Sequence, residues 1–276
     1  MKDSIAVDAR DRCRRYWILA AVALTFITET QVASAATSVM IWPIDPVIEN
    51  DQRAAALWLE NRDTTSVTLQ IRLLGWRQEN GQDQYSGEQN RVASSPPMVT
   101  VLPGQRQLIR LIKLTDVSPE TEGAYRVLID EIPQPKESEE GSGGASLGVK
   151  FQMHYSIPLF VYGAGISAKQ NSEKSGGPTT TALPMLGWHL AEEGGVRWLV
   201  MTNRGQMHAR ITQVAFDLDG QRTEFVSGML GYVLPGAQMR WRLPAGLKLR
   251  EHSKLIATIN GKAEIEIERT GFGDLK

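Results

Sequence analysis

Between Val149 and Val161 every odd position is apolar, while Lys150, Gln152, His154 and Ser156 fill the first even positions. Alternation with period two over that length describes one β-strand with a continuous apolar face. At ~3.3 Å per residue it would span roughly 43 Å, long for a small sandwich. Pro158 has no N–H to give a ladder, which favours a sheet edge for that part. The free N–H and C=O groups of an apolar edge recruit other chains. Two readings are open: a core strand internal to its own sheet, or a strand whose task is to pair with another chain.

The rest of the chain is consistent with an all-β fold. Residues 53–61, 66–76, 98–101, 105–114 and 125–132 are short runs rich in apolar and β-branched residues, broken by Asn, Asp, Gly and Pro. Runs of this length with such breaks indicate a β-sandwich, and no amphipathic pattern of helical length competes with them. Residues 134–147 are charged and Gly/Ser-rich and predict a flexible loop, as do 163–180. Beyond them, 183–190, 196–203, 208–218, 231–243, 254–259 and 263–269 again predict strands. The expected organisation is a sandwich over 37–162, a linker over 163–180 and a second sandwich over 181–276. Leu-Pro-Gly occurs at 102–104 and again at 234–236, each time before an apolar run, an echo that suits two related sandwiches.

The first 36 residues differ in kind. Lys2, Arg10, Arg12, Arg14 and Arg15 precede the apolar run Tyr16–Ile27, and small residues follow, with Ala33-x-Ala35 and Ser34-x-Ala36 as cleavage patterns. The run is too short to span ~30 Å of hydrocarbon but fits an export signal. Without this segment's five basic and four acidic residues, the net charge of −1 becomes about −2. No global positive field exists to hold a nucleic acid, and no later stretch would insert stably in a membrane. The one cysteine, Cys13, lies in the signal, so a disulfide framework, a thiolate metal site and a cysteine nucleophile are excluded. There is no GxSxG, GxxxxGK[ST], HExxH or GxGxxG, and the four histidines are scattered. The expectation is a non-enzymatic protein without cofactor or metal.

Several segments, in order, resemble the PapD-like periplasmic pilus chaperones. They are RAAALWLENRD (53–63), LLGWRQENG (73–81), SSPPMVTVLPGQRQLIRL (94–111), EGAYRVLIDEIPQP (122–135) and VKFQMHYSIPLFVYG (149–163), with NRGQMHARI (203–211) and YVLPGAQMRW (232–241) in the second half. The resemblance implies two immunoglobulin-like sandwiches set at an angle, in the periplasm. It implies pilus or fimbrial subunits and an outer-membrane usher as partners. It also implies that Val149, Phe151, Met153 and Tyr155 complete an unfinished subunit by donor-strand complementation. SVMIWPIDPVI (38–48) and the long loop at 134–147 are similar to the archaic branch, whose subunits resemble spore-coat protein U. An exported adhesin or carbohydrate-binding sandwich is the alternative, although Trp58, Trp76, Trp198 and Trp241 lie within strands rather than loops.

The family holds the subunit's terminal carboxylate with two basic residues, and the matching places Asp45 and Pro158 there. A partly desolvated carboxylate needs a partner, and a guanidinium offers two parallel hydrogen bonds at any relevant pH. By the family topology, Arg126 lies at the domain-junction end of the sixth strand, with Tyr125 and Val127 on the opposite face. Arg77, at the end of the third, is the second candidate, and Arg110, in mid-strand, ranks behind both.

Overall fold

The computed structural model describes residues 39–133, 152–167, 183–247, 249–250 and 252–271. Every regular element among them is a strand. The expected signal segment, the loop at 134–147 and most of the linker lie outside the described residues.

The first ten strands are β1 (Val39–Trp42), β2 (Val47–Ile48), β3 (Ala54–Asn61), β4 (Val67–Glu79), β5 (Gln82–Ser86), β6 (Val92–Ser95), β7 (Met98–Val101), β8 (Arg106–Lys113), β9 (Glu122–Ile132) and β10 (His154–Tyr162). They form a sheet in the order β1-β3-β8-β6 and another in the order β2-β10-β9-β4-β5, with β7 also on β4. Alternation decides which side chains meet between the layers. Val67, Leu69 and Ile71 of β4, Tyr125, Val127 and Ile129 of β9, and Ile157, Leu159 and Val161 of β10 close on Leu57, Leu59, Ile109 and Leu111 of the facing sheet. Burying each such aliphatic side chain contributes roughly 1.5–3 kcal/mol against the entropy of ordering the chain.

The remaining strands are β11 (Leu186–Glu193), β12 (Val196–Asn203), β13 (Ala209–Leu218), β14 (Gln221–Val233), β15 (Gln238–Arg242), β16 (Lys254–Ile259) and β17 (Glu264–Arg269). They hydrogen-bond in the order β14-β13-β16-β17-β11-β12-β15 around Trp188, Phe216, Leu199, Ile211 and Leu255. The strand expected over 231–243 is two strands. The chain turns at Leu234-Pro235-Gly236, where Gly236 takes φ +70° and Ala237 N–H returns to Leu234 C=O. A long strand before that turn, β14, was not expected: its first half is polar, and it forms a sheet edge that demands little apolar alternation.

The Leu-Pro-Gly echo has a structural basis. Asn61 ends β3 fully buried, and its Nδ2 donates to Thr65 C=O (2.7 Å) and Val101 C=O (2.9 Å) while Oδ1 accepts from Asp63 N–H (2.9 Å). Asn203 ends β12 fully buried, and its Nδ2 donates to Met207 C=O (2.7 Å) and Val233 C=O (3.0 Å) while Oδ1 accepts from Gly205 N–H (2.9 Å). Gly104 N–H reaches Asn61 C=O at 2.8 Å, and Gly236 N–H reaches Asn203 C=O at 2.9 Å. One asparagine thus satisfies a corner of backbone that no ladder reaches, and the same corner is built twice.

Candidate functional site

Strand β10 is paired on one side along its length and on the other only at its end. It runs antiparallel to β9 from His154 opposite Asp130 to Tyr162 opposite Glu122. On the far side β2 meets it in parallel at Phe160 and Val161 alone. Glu131 N–H donates to Met153 C=O at 3.1 Å, so the backbone groups of odd residues face β9 and those of even residues face outward. Phe160 N–H finds Pro46 C=O at 3.2 Å. Pro158 stands where its missing N–H is not needed by β9. Among the described residues no strand pairs with the outward edge at His154 and Ser156.

The even side chains of β4, β9 and β10 make the outer face of this sheet. Near the start of β10, Asp130 links three strands: Arg72 donates to its Oδ2 through Nε (2.9 Å) and NH2 (2.6 Å), and His154 Nδ1 donates to its Oδ1 (2.6 Å). Burial alone would raise the Asp130 carboxyl, but the hydrogen bonds from His154 and Arg72 outweigh it and hold it below the usual range.

Further along the same face, Arg126 lies between Leu74 and Pro158 in register. Its guanidinium stands 3.8 Å from the centre of the Trp76 ring and 5.5 Å from that of Tyr232, which belongs to the second sandwich. Its Nε is buried with no hydrogen-bond partner. Leaving such a donor unpaired costs about 1–3 kcal/mol, more when it is charged, and an arriving anion would relieve it.

The two sandwiches are joined just beyond Arg126. Trp76 and Phe160 pack on Tyr232, and the His208 ring stacks on Phe160 at 3.5 Å. Gln78 replaces a missing strand neighbour, its Nε2 donating to Tyr232 C=O (2.9 Å) and its Oε1 accepting from Leu234 N–H (2.8 Å). The buried Glu122 carboxylate accepts from the Nδ1 (2.8 Å) and backbone N–H (3.2 Å) of His208. Beside this contact is a cavity of about 180 Å³ lined by Asp45, Phe160, His208, Arg210, Tyr232 and Lys262, among others.

Of the residues expected in the site, Val149 and Phe151 lie outside the described residues. Met153 is half-buried just before β10. Tyr155 is half-buried as well, but its ring packs against the first sandwich's own core, so that core and a partner would compete for it. Arg126 lies on the face expected for it. Arg77 does not join it: odd residues at this end of β4 point away from Trp76, and Arg77 is 75% exposed near Glu79 (3.9 Å). Arg110 is exposed on β8, in the other sheet. Glu122, His208, Arg210 and Tyr232 were not expected, and singly spaced residues brought together from opposite ends of the chain carry no sequence signal. Among the described residues, no cluster of His, Cys, Asp or Glu could hold a metal ion, and no helix is long and apolar enough to cross a membrane.

Residues 39–167 match the N-terminal domain model of the PapD pili and flagellar-assembly chaperones. No curated protein matches the chain in sequence. Among solved structures, it is similar to the CsuC chaperone of the chaperone–tip adhesion subunit pre-assembly complex from archaic chaperone-usher Csu pili of Acinetobacter baumannii. That match has a TM-score of 0.66 and 29% identity, covering 85% of this chain and 100% of the other. The Pseudomonas aeruginosa CupB2 chaperone shares the fold at a TM-score of 0.53 and 16% identity, covering 84% and 100%. A chain of the Salmonella enterica SafA pilin–SafB chaperone complex does so at 0.54 and 15%, covering 85% and 97%. Of two sandwiches built on one repeated corner, the first therefore carries the PapD chaperone N-terminal domain, and together with the likeness of the whole chain to CsuC this supports a PapD-like pilus-assembly chaperone.

Proposed function

We propose that the protein is a periplasmic chaperone of the archaic chaperone–usher branch, exported by residues 1–36. Its first sandwich, residues 37–162, holds an incomplete pilus subunit by donor-strand complementation until an outer-membrane usher receives it. The role is one of binding, not catalysis. The observation that carries this reading is the one-sided pairing of β10, with outward backbone groups at His154 and Ser156 on the edge of the sheet whose outer face carries Arg126. A subunit strand laid along that edge gains ladder hydrogen bonds. The apolar side chains of Val149, Phe151 and Met153, each worth roughly 1.5–3 kcal/mol when buried, fill its open groove. Tyr155 stands at the boundary of that stretch. Arg126 takes the subunit's terminal carboxylate: its guanidinium lies on the outer face with an unpaired Nε–H.

The test is co-expression with a subunit encoded beside the chaperone. Phe151→Asp with Met153→Asp is expected to leave the thermal midpoint within about 2 °C while abolishing the chaperone–subunit complex. Arg126→Gln is expected to weaken the complex at least tenfold, the worth of a charged hydrogen bond. An unfolded double variant would assign that face to the protein's own core, and full co-purification of either folded variant would sink the role given to it.

A second reading has one observation of its own. Trp42 and Trp58 stack at 6.3 Å on the outside of the β1–β3 sheet, with Arg106 5.4 Å from the Trp42 ring centre. Such a platform suits a sugar face, and glycan binding lost on Trp58→Ala would support it.

A further inference from the structure

The β4–β5 hairpin of the first sandwich grips the second. At its tip Asn80 and Gly81 take φ of +54° and +74°, the pair of positive values that a two-residue hairpin turn of this kind requires. Gly81 bridges Met239 of β15, and a Cβ on it would lie 2.8 Å from the Arg240 side chain, so the tip rests directly on the second sandwich. Just before the tip, Gln78 bonds Tyr232 C=O and Leu234 N–H through the two ends of its amide. Leu234 opens the second Leu-Pro-Gly turn, so the grip falls on the repeated corner.

Asp83, opposite Gln78 on β5, is the residue that ties this grip to the outer face of the sheet. Its Oδ1 accepts from Trp76 Nε1 (2.8 Å) and Gln78 Nε2 (2.9 Å), and its Oδ2 accepts from the Tyr85 hydroxyl (3.2 Å). An ionised carboxylate accepts and cannot donate, so it turns the nitrogen of the Gln78 amide toward itself. That orientation leaves the other N–H for Tyr232 C=O and the oxygen for Leu234 N–H. The same carboxylate fixes the buried Trp76 indole through its N–H, and Arg126 stacks on that ring. Tyr85 lies opposite Trp76 on β5. Burial and then Asp83 raise its phenol while Arg126 opposes the rise, so the carboxylate and the guanidinium act on one ring.

We infer that Asp83 is a positioning residue: by holding the Trp76 indole against Arg126 and the Gln78 amide against the second sandwich, it couples subunit binding to the seating of the joint. The proposal rests on the reading of Arg126 as a partner-facing cation. A guanidinium set in place before the partner arrives has less freedom to lose on binding. Because one carboxylate sets both Trp76 and Gln78, whatever loosens the joint loosens Arg126, and by linkage a bound subunit stiffens the joint by the same free energy.

The test uses the full exported protein, alone and in competition with the parent chaperone for the subunit encoded beside it. NMR follows the Trp76 indole N–H and the Arg126 Nε–H, and residual dipolar couplings report the angle between the sandwiches. Asp83 is half-buried on β5, the last strand of its sheet, so Asp83→Ser removes the carboxylate at a place the fold tolerates. That variant is expected to shift both resonances, to change the angle and to weaken subunit binding about tenfold, the worth of a charged hydrogen bond. Asp83→Asn, which keeps an acceptor oxygen for Trp76 and Gln78, should restore both resonances and most of the binding. Gln78→Met should change the angle while the Trp76 indole N–H stays in place, and should weaken binding by less than Asp83→Ser. An unchanged angle in Gln78→Met would overturn the coupling. Unchanged resonances and angle in Asp83→Ser, with binding abolished by Arg126→Gln, would overturn the inference and leave the Arg126 reading standing. Full binding by Arg126→Gln, with the resonances and angle still moved by Asp83→Ser, would support the coupling through Asp83 and sink the Arg126 reading.

Discussion

The two sandwiches share a corner and differ in what they leave open. In each, a buried asparagine at a strand end ties two backbone carbonyls and an N–H together, with Met185 N–H as a fourth group at Asn203, and receives the glycine N–H of a Leu-Pro-Gly turn. The first then ends in β10, whose outward edge has no strand partner before Phe160 among the described residues, with Arg126 on its outer face. The second places Tyr232, His208 and Arg210 against that face. The repeated part is architecture, fixed by backbone groups that must be paired. The unrepeated part is the open edge of β10 and the joint between the sandwiches.

The comparison can be broken most severely at the corners. Asn61→Leu strips two carbonyls and an N–H of their partner, Asn203→Leu strips the Met185 N–H besides, and each is expected to destabilise by about 3 kcal/mol in chemical denaturation. A loss several times larger in one than in the other would show that the corners are alike in geometry but not in importance.

The joint comes next. Glu122→Leu removes the acceptor of two His208 hydrogen bonds, and a loss of about 2 kcal/mol is expected. Two separate unfolding transitions in this variant, against one in the parent, would show that the joint is what couples the sandwiches. A single transition at the parent midpoint would mean that the aromatic packing suffices.

Alkaline titration probes the same contrast. Burial raises the phenols of Tyr162 and Tyr232 at the joint and of Tyr125 in the first core. Stability from a raised group is fully present below its ordinary value near 10 and is lost as pH climbs above it. The decline above about pH 10 is expected to be smaller in Tyr162→Phe, because Tyr162 has the largest shift of the three. Identical pH profiles for this variant and the parent would remove Tyr162 from the account.

The smallest effect is at the open end of β10. The Asp130 carboxyl is held low by His154 and Arg72, so its contribution is present at neutral pH and is lost as pH falls below about 4. Both partners are more than half exposed, which keeps the term at about 1 kcal/mol or less. Asp130→Asn should flatten the acid limb by that amount and speed amide exchange at Tyr155, whose backbone faces β9 opposite Ile129. Unaltered exchange would show that the network does not hold the strand.

Alternation and turn residues were enough to reveal most strands of both sandwiches, because period two and Asn/Gly/Pro breaks are local properties. Edge elements such as β14 were missed: an edge needs little apolar alternation, and Gly228 and Gly231 interrupt what there is. Arg126 was legible because its neighbours Tyr125 and Val127 mark the inward face. Parity also sets Arg77 on the other face from Arg126, since Trp76 takes the joint side and the next residue must face away.

Sequence alone determined most of the strand content, the inward and outward faces of β4, β9 and β10, and the repeated Leu-Pro-Gly turn, since each depends on residues close together in the chain. Tertiary structure alone decided that even residues from Pro158 to Tyr162 are buried as fully as the odd ones, where Phe160 and Tyr162 meet the second sandwich. It also decided that Glu122 meets His208 and that Asp45 meets Arg210. Those contacts join residues far apart in the chain, and no local pattern encodes them, because their energy exists only once two separately patterned surfaces have been brought together.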